Sequence, residues 1–240
     1  DLRKATGLDN ATLLRVLATL RDRGWVRRAL SEPRYQMTHR AARLLGGTVP
    51  GPWIAEVAAP IMAHNALLAP WPMELVTDVR PGTIEIVETT RTRGPLSLAR
   101  SPYGIQPSVV FSAHGRVALA FGTDARQAAH LAEVCKSGTV EERRFLESGR
   151  LTAILAVTRE QGFGVREESY WQVPLEETPE LAAVAFPVFV NGELTASVSL
   201  IWPKDAQSLE TLRAEGHLAH LGRTATEIGK AAETSDLRSR

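Results

Sequence analysis

The chain has one cysteine, Cys135, in 240 residues. No intramolecular disulfide can form, and the thiol usage fits a reducing compartment. No apolar run approaches the roughly 18 residues that crossing a bilayer requires, and the opening Asp1-Leu2-Arg3-Lys4 lacks the apolar stretch of a signal peptide. The expectation is a cytoplasmic protein without a membrane partner. The short motifs of nucleotide and hydrolase chemistry are missing too: no P-loop, no G-x-G-x-x-G after a strand, no G-x-S-x-G and no H-E-x-x-H. The six histidines are scattered; His217 and His220 share a helix face, yet no further metal ligands can be placed beside them. Ser112 and His114 have no identifiable carboxylate to complete a nucleophile–base–acid set. These absences exclude the common enzyme classes and leave no cofactor or metal to expect.

What is present is an uneven charge. Residues 1–45 hold ten Lys/Arg against four Asp/Glu, a local charge of +6, while the remainder, with 18 against 23, carries −5. A basic end on an acidic body suits a protein that brings only that end to a polyanion. The same end has a readable order of elements. Residues 1–6 read as the tail of a helix stopped at Gly7. Asp9 is placed to cap a second helix, with Leu8 and Leu13 as its hydrophobic staple. Leu13, Val16, Leu17 and Leu20 give it a buried face, and Gly24 ends it. Residues 25–28 and 34–38 then read as two strands joined by the turn Ser31-Glu32-Pro33. Helix, glycine turn, capped helix and two-stranded ribbon is the order of a winged helix-turn-helix. Asn10, Ala11, Leu14, Arg15 and Ala18 would face outward; Asn10 and Arg15 suit base edges, with Thr12 and Lys4 also on the DNA side, and Arg27, Arg28 and Arg34 would meet phosphates or the minor groove. Double-stranded DNA is the expected partner.

The sequence divides at Gly46-Gly47-Thr48-Val49-Pro50-Gly51-Pro52, giving a winged helix over 1–47, a linker and connecting helix over 48–70, and a sensing domain over 71–240. Residues 53–68 read as an amphipathic helix, kinked or interrupted at Pro60. Residues 73–79 and 83–89 alternate as paired strands. Helices are expected at 112–121, at 124–135 from an Asp124 cap, at 140–147 and at 151–161, with a short strand at 163–165. Asn191-Gly192 between two apolar runs predicts a two-residue hairpin, and residues 208–232 read as one long helix. Mixed strands and helices without βαβ alternation make the class α+β on an antiparallel sheet.

Residues 5–20, from Ala5-Thr6-Gly7-Leu8 to Ala18-Thr19-Leu20, followed by Gly24-Trp25-Val26, resemble the DNA-binding signature of IclR-type regulators. The resemblance runs over nearly the whole chain and is sharpest at 5–26, 112–121, 160–168 and 181–203. It implies a further helix ahead of residue 1, so that the winged helix of residues 1–47 lacks its first helix. It also implies a GAF-like effector-sensing domain and assembly as homodimers and tetramers. The segment matching Ser112-Ala113-His114-Gly115 begins a helix that borders the effector pocket in the family, where small residues let a ligand approach and helix amides attract a carboxylate. Residues 162–168 resemble a ligand-facing loop, bringing in Arg166 and Glu168. Arg166 serves either a ligand carboxylate or a surface pair with Glu167 or Glu168. Tyr170-Trp171 serves either as a ligand clasp or as core or rim aromatics. The hairpin supplies the pocket floor. Ala183 and Ile201 stand where glyoxylate- and pyruvate-type sensors carry polar residues, while Ser199 is kept, so the effector implied is a bulkier organic acid such as an aromatic one. Trp53-Ile54, Ala58-Ala59-Pro60, Trp71-Pro72 and Glu88-Thr89-Thr90 are similar to regulators of hydroxyphenylpropionate catabolism. The competing readings are a small-molecule enzyme, or a GAF-like adaptor whose winged helix makes protein contacts.

Overall fold

Capping and turn chemistry set the first elements. In the computed structural model, which describes residues 2–32, 34–44, 53–91, 102–170 and 180–235, helix α1 (Leu2–Thr6) stops at Gly7 in the left-handed region. Helix α2 (Asn10–Asp22) starts from Asp9, whose carboxylate accepts from the Thr12 amide at 3.0 Å. Gly24 (φ +68°) closes it, with the Gly24 amide on Arg21 O and the Trp25 amide on Leu20 O, the paired bonds of a Schellman motif. Strands β1 (Val26–Arg28) and β2 (Tyr35–Met37) pair antiparallel as the ribbon, and α3 (His39–Leu44) follows. The buried face of α2 is narrower than its pattern implied. Only Leu17 is buried and Val16 is exposed, because five-residue α1 buries nothing and leaves that side of α2 uncovered. The glycine–proline stretch at 46–52, Pro33 and Trp171 fall outside the described residues.

Helix α4 (Ile54–Asn65) buries Ile54, Ala58 and Met62 and continues as a 3-10 turn. Pro60 sits inside it on an exposed position, and the helix runs through rather than being interrupted. Strands β3 (Met73–Arg80), β4 (Thr83–Thr89), β5 (Gly164–Val165), β6 (Leu181–Val190) and β7 (Glu193–Pro203) form one antiparallel sheet in the order β4-β3-β7-β6-β5. The β6–β7 turn has positive φ at both Asn191 and Gly192, the geometry that matches strand twist in a two-residue hairpin.

Four helices lie on one flank: α5 (Ala113–Phe121), α6 (Asp124–Ser137), α7 (Val140–Glu147) and α8 (Arg150–Gln161). Thr123, not Asp124, caps α6, since its hydroxyl is the one that reaches the Arg126 amide. The closing segment is two helices, α9 (Leu209–Ala214) and α10 (His217–Glu233), broken where Gly216 takes φ +82°. A glycine inside an otherwise helical pattern gives no sequence sign of whether it continues or breaks.

The sheet is covered on both faces. Met73, Leu75, Val184, Val198, Leu200 and Trp202 pack with α4, α9 and α10, while Val76, Ala183, Ala185 and Ile201 lie on the opposite face with α5 and its neighbours. The positions that alternation assigns to the polar face of β3 and β7 are therefore enclosed under α5. Those enclosed residues are the candidate site.

Candidate functional site

Pairing register places the enclosed polar residues. Across the sheet, Ala185 lies opposite Ser199, Ser199 opposite Glu74, and Glu74 opposite Thr89; one step along, Ala183 lies opposite Ile201. Beyond β5 the Arg166 amide donates to Ala183 O at 2.9 Å, which continues the pairing and sets Arg166 on the face that holds Ala183 and Ile201. The floor is apolar at Ala183 and Ile201 and polar at Ser199 and Glu74, all buried.

The charged groups above this floor are unusual for an interior. Arg91 donates to Glu74 at 2.5 Å, and both side chains are about 5% exposed. The Arg166 guanidinium lies 4.4 Å over the Tyr170 ring, and one NH2 donates to Tyr170 O at 2.8 Å. Its Nε is buried and finds no acceptor among the described residues. Burial pulls the Arg166 pKa down, opposed by Tyr170 and Glu74, while Arg91 acts in the same direction as burial. Burial likewise raises the Tyr170 hydroxyl, so it is neutral at pH 7. Two cations, Arg91 and Arg166, thus lie close to one carboxylate, Glu74, in a place shielded from water. Arg166 makes neither of the two surface pairs open to it. Arg116 takes Glu167 instead, and Glu168 points to solvent.

The α5 residues find partners within the protein. Ser112 is the N-cap and accepts from the Gly115 amide at 2.9 Å. Gly115 leaves room for backbone rather than ligand, because a Cβ there would meet Val109 O at 2.1 Å. Ala113 is buried against Ala183 and Ala185. His114 bridges Ser197 at 2.7 Å and Ser199 at 2.9 Å, so both ring nitrogens are occupied. Burial lowers its pKa to about 3, and it stays neutral, donating to one serine and accepting from the other. The Ser112 hydroxyl and both His114 ring nitrogens are thus engaged within the protein, and Gly115 admits the Val109 backbone. Half-buried Tyr170 accepts at its hydroxyl from the Ser108 amide at 2.8 Å, and its ring also meets Phe111. Glu74 and Arg91 escape a sequence reading, since nothing but a charge within an apolar strand marks the first and nothing marks the second.

At the basic end, Asn10, Ala11, Leu14 and Arg15 are exposed on α2, and Lys4, Arg28 and Arg34 are exposed on α1 and the ribbon. Arg34 pairs with Glu32 at 3.3 Å, and Arg15 donates to Thr12 at 3.3 Å. Ala18 and Thr12 are half-buried. Arg27 departs from the set: it is half-buried, and its guanidinium binds the carboxylate of Glu88 on β4. Among the described residues no cluster of three or more His, Cys, Asp or Glu could hold a metal, and no helix is long and apolar enough to cross a membrane. His220 instead bonds to Asn65 O.

Residues 80–229 match the family described as bacterial transcriptional regulator IclR, C-terminal. Solved structures share the fold over almost the whole chain. The IclR transcriptional regulator of Alicyclobacillus acidocaldarius is 21% identical, with 96% of this chain and 88% of that one covered and a TM-score of 0.58. Thermotoga maritima IclR is 18% identical, covering 97% and 89%, at 0.58. An IclR homologue of Microbacterium hydrocarbonoxydans, crystallised in complex with 4-hydroxybenzoate, is 16% identical, covering 97% and 90%, at 0.55.

Proposed function

The chain belongs to the IclR family of bacterial transcriptional regulators, and from that premise we infer that it is a cytoplasmic, ligand-responsive regulator that binds operator DNA through α2 and the β1–β2 ribbon and senses an aromatic monocarboxylic acid. The observation that carries the effector class is Arg166, half-buried beside the apolar Ala183 and Ile201, with an enclosed Nε that finds no acceptor among the described residues. A carboxylate supplies a counter-charge and an acceptor for Arg166 Nε, while Ala183 and Ile201 take an apolar ring. The 4-hydroxybenzoate held by the Microbacterium homologue and the similarity to hydroxyphenylpropionate regulators favour a phenolic acid.

Calorimetric titration tests this. The protein should bind 4-hydroxybenzoate but not the uncharged 4-methylphenol, and Arg166→Met should weaken the acid by roughly tenfold to a hundredfold, the loss of one charge-assisted hydrogen bond. Equal affinity for acid and phenol would remove Arg166 from that role.

For DNA, a homodimer, itself able to pair into a tetramer through the sensing domains, presents two α2 helices to half-sites about one turn apart, near 34 Å. Asn10 and Arg15 read bases; Lys4, Arg28 and Arg34 meet phosphates; Ala11 and Leu14 offer apolar contacts such as a thymine methyl. Asn10→Ala and Arg15→Ala should each cost about 1–3 kcal/mol on the operator and relax sequence preference, measured by competition against base-substituted sites. A uniform loss on every DNA would make both of them phosphate contacts.

A further inference from the structure

A continuous set of hydrogen bonds runs from the acid pocket to the ribbon. Glu88 follows Leu75 in register while its neighbour Thr89 follows Glu74, so the two lie on opposite faces of β4. Glu88 is fully buried and both its oxygens are used. Oε2 holds the Arg27 guanidinium from β1, and Oε1 accepts the Tyr103 hydroxyl and, at 3.1 Å, the Thr89 amide. Thr89 Oγ1 accepts the Arg91 amide at 3.1 Å, and the Arg91 side chain reaches Glu74 in the pocket. Five hydrogen-bonded or adjacent residues thus join the acid site to the wing. A buried ion pair contributes little net stability relative to a packed apolar contact, and its best-attested use is to fix one arrangement against another.

Resting on the reading of the chain as an acid-responsive DNA-binding regulator, we propose that Glu88 is the coupling residue between pocket and wing. It holds Arg27 while the pocket is empty, and it releases Arg27 when a ligand carboxylate draws on Arg91 and displaces residues 89–91. The docked wing withholds a cation from DNA; the released wing offers it. The two positions of Arg27 are the alternative states that the ligand biases through its differential affinity.

The test compares the full chain with Glu88→Gln, Arg27→Gln and the double variant, using 4-hydroxybenzoate as the probe acid. Wild type should bind DNA with a salt slope steeper by about one phosphate contact when the acid is present. Both single variants should reduce the acid's effect on DNA affinity, typically 5–150-fold in coupled systems, to within about twofold, with no further loss in the double. Arg28→Gln on the same strand should weaken DNA binding and keep the acid's effect. Arg27→Gln, at a half-buried position, guards against misfolding of the Glu88 variant. Wild-type coupling retained in both singles overturns the proposal. Hydrogen exchange of residues 26–37 without DNA separates this from failure of the functional reading: Glu88→Gln should speed exchange whether or not any DNA is bound. Unchanged protection there overturns the latch on its own.

Discussion

Glu74→Leu should cost the protein about 3–5 kcal/mol, because removing one partner of a buried ion pair strands the other charge in the interior. Glu74 and Arg91 are each about 5% exposed, and half-buried Arg166 adds a second cation whose pKa is drawn down by burial and by Arg91. Without Glu74 both cations lose the carboxylate beside them. For a chain of this length the loss corresponds to a melting temperature lower by roughly 10 °C. Glu74→Gln keeps an acceptor and should cost less, about 1–3 kcal/mol. The variants also test the pocket, since a carboxylate ligand supplies the charge that Glu74 supplied. Saturating 4-hydroxybenzoate should raise the melting temperature of Glu74→Gln more than that of wild type, through tighter binding to the folded state. A variant as stable as wild type, or one that the acid leaves unmoved, would show that the three charges do not form one electrostatic unit.

The second large effect belongs to His114. Its folded pKa is about 3 because it is buried, against about 6.5 for an unfolded histidine. Below pH 6.5 the unfolded chain takes up a proton that the folded protein refuses, so stability is complete above that pH and falls as pH drops toward 3. The slope approaches 1.4 kcal/mol per pH unit, a loss on the order of 2 kcal/mol by pH 5. Protonation would also put a donor on both ring nitrogens and break the alternation that bridges Ser197 and Ser199. Denaturant unfolding at pH 7, 6 and 5 should show His114→Gln losing about one proton's worth less stability than wild type. Parallel curves, or a resonance titrating near pH 6 that disappears in His114→Gln and so belongs to His114, would contradict the buried neutral ring.

Much of this architecture is legible in the sequence because its signals are local. The Asp9 cap, the Gly24 stop, the Asn191-Gly192 turn and the alternation of residues 73–89 each act within a few residues. The segment 208–232 is not legible, since Gly216 breaks a helix whose apolar spacing continues across it. The site is half legible. Arg166, Ala183, Ser199 and Ile201 stand out in the sequence and share one face, whereas Glu74 and Arg91 do not stand out. Alternation marks Glu74 and Asp78 as solvent-facing, and that inference fails when helices cover both faces of the sheet. Asp78 is enclosed in the same way: burial works to raise its pKa, but His130 and Arg126 bind it and hold it low. Arg27 reads as a phosphate contact from its position on the ribbon. Its partner Glu88 lies 61 residues away, beyond the reach of any local pattern.

Fluorescence anisotropy of the full chain on DNA from upstream of its own gene, with and without 4-hydroxybenzoate and across a salt series, tests the central claim most directly. The account predicts binding that exceeds binding to random DNA, weakens steeply with salt as counterions return to the phosphates, and shifts when the acid is added but not when 4-methylphenol is. Binding equal on operator and random DNA, or operator binding that the acid leaves unchanged, would contradict it.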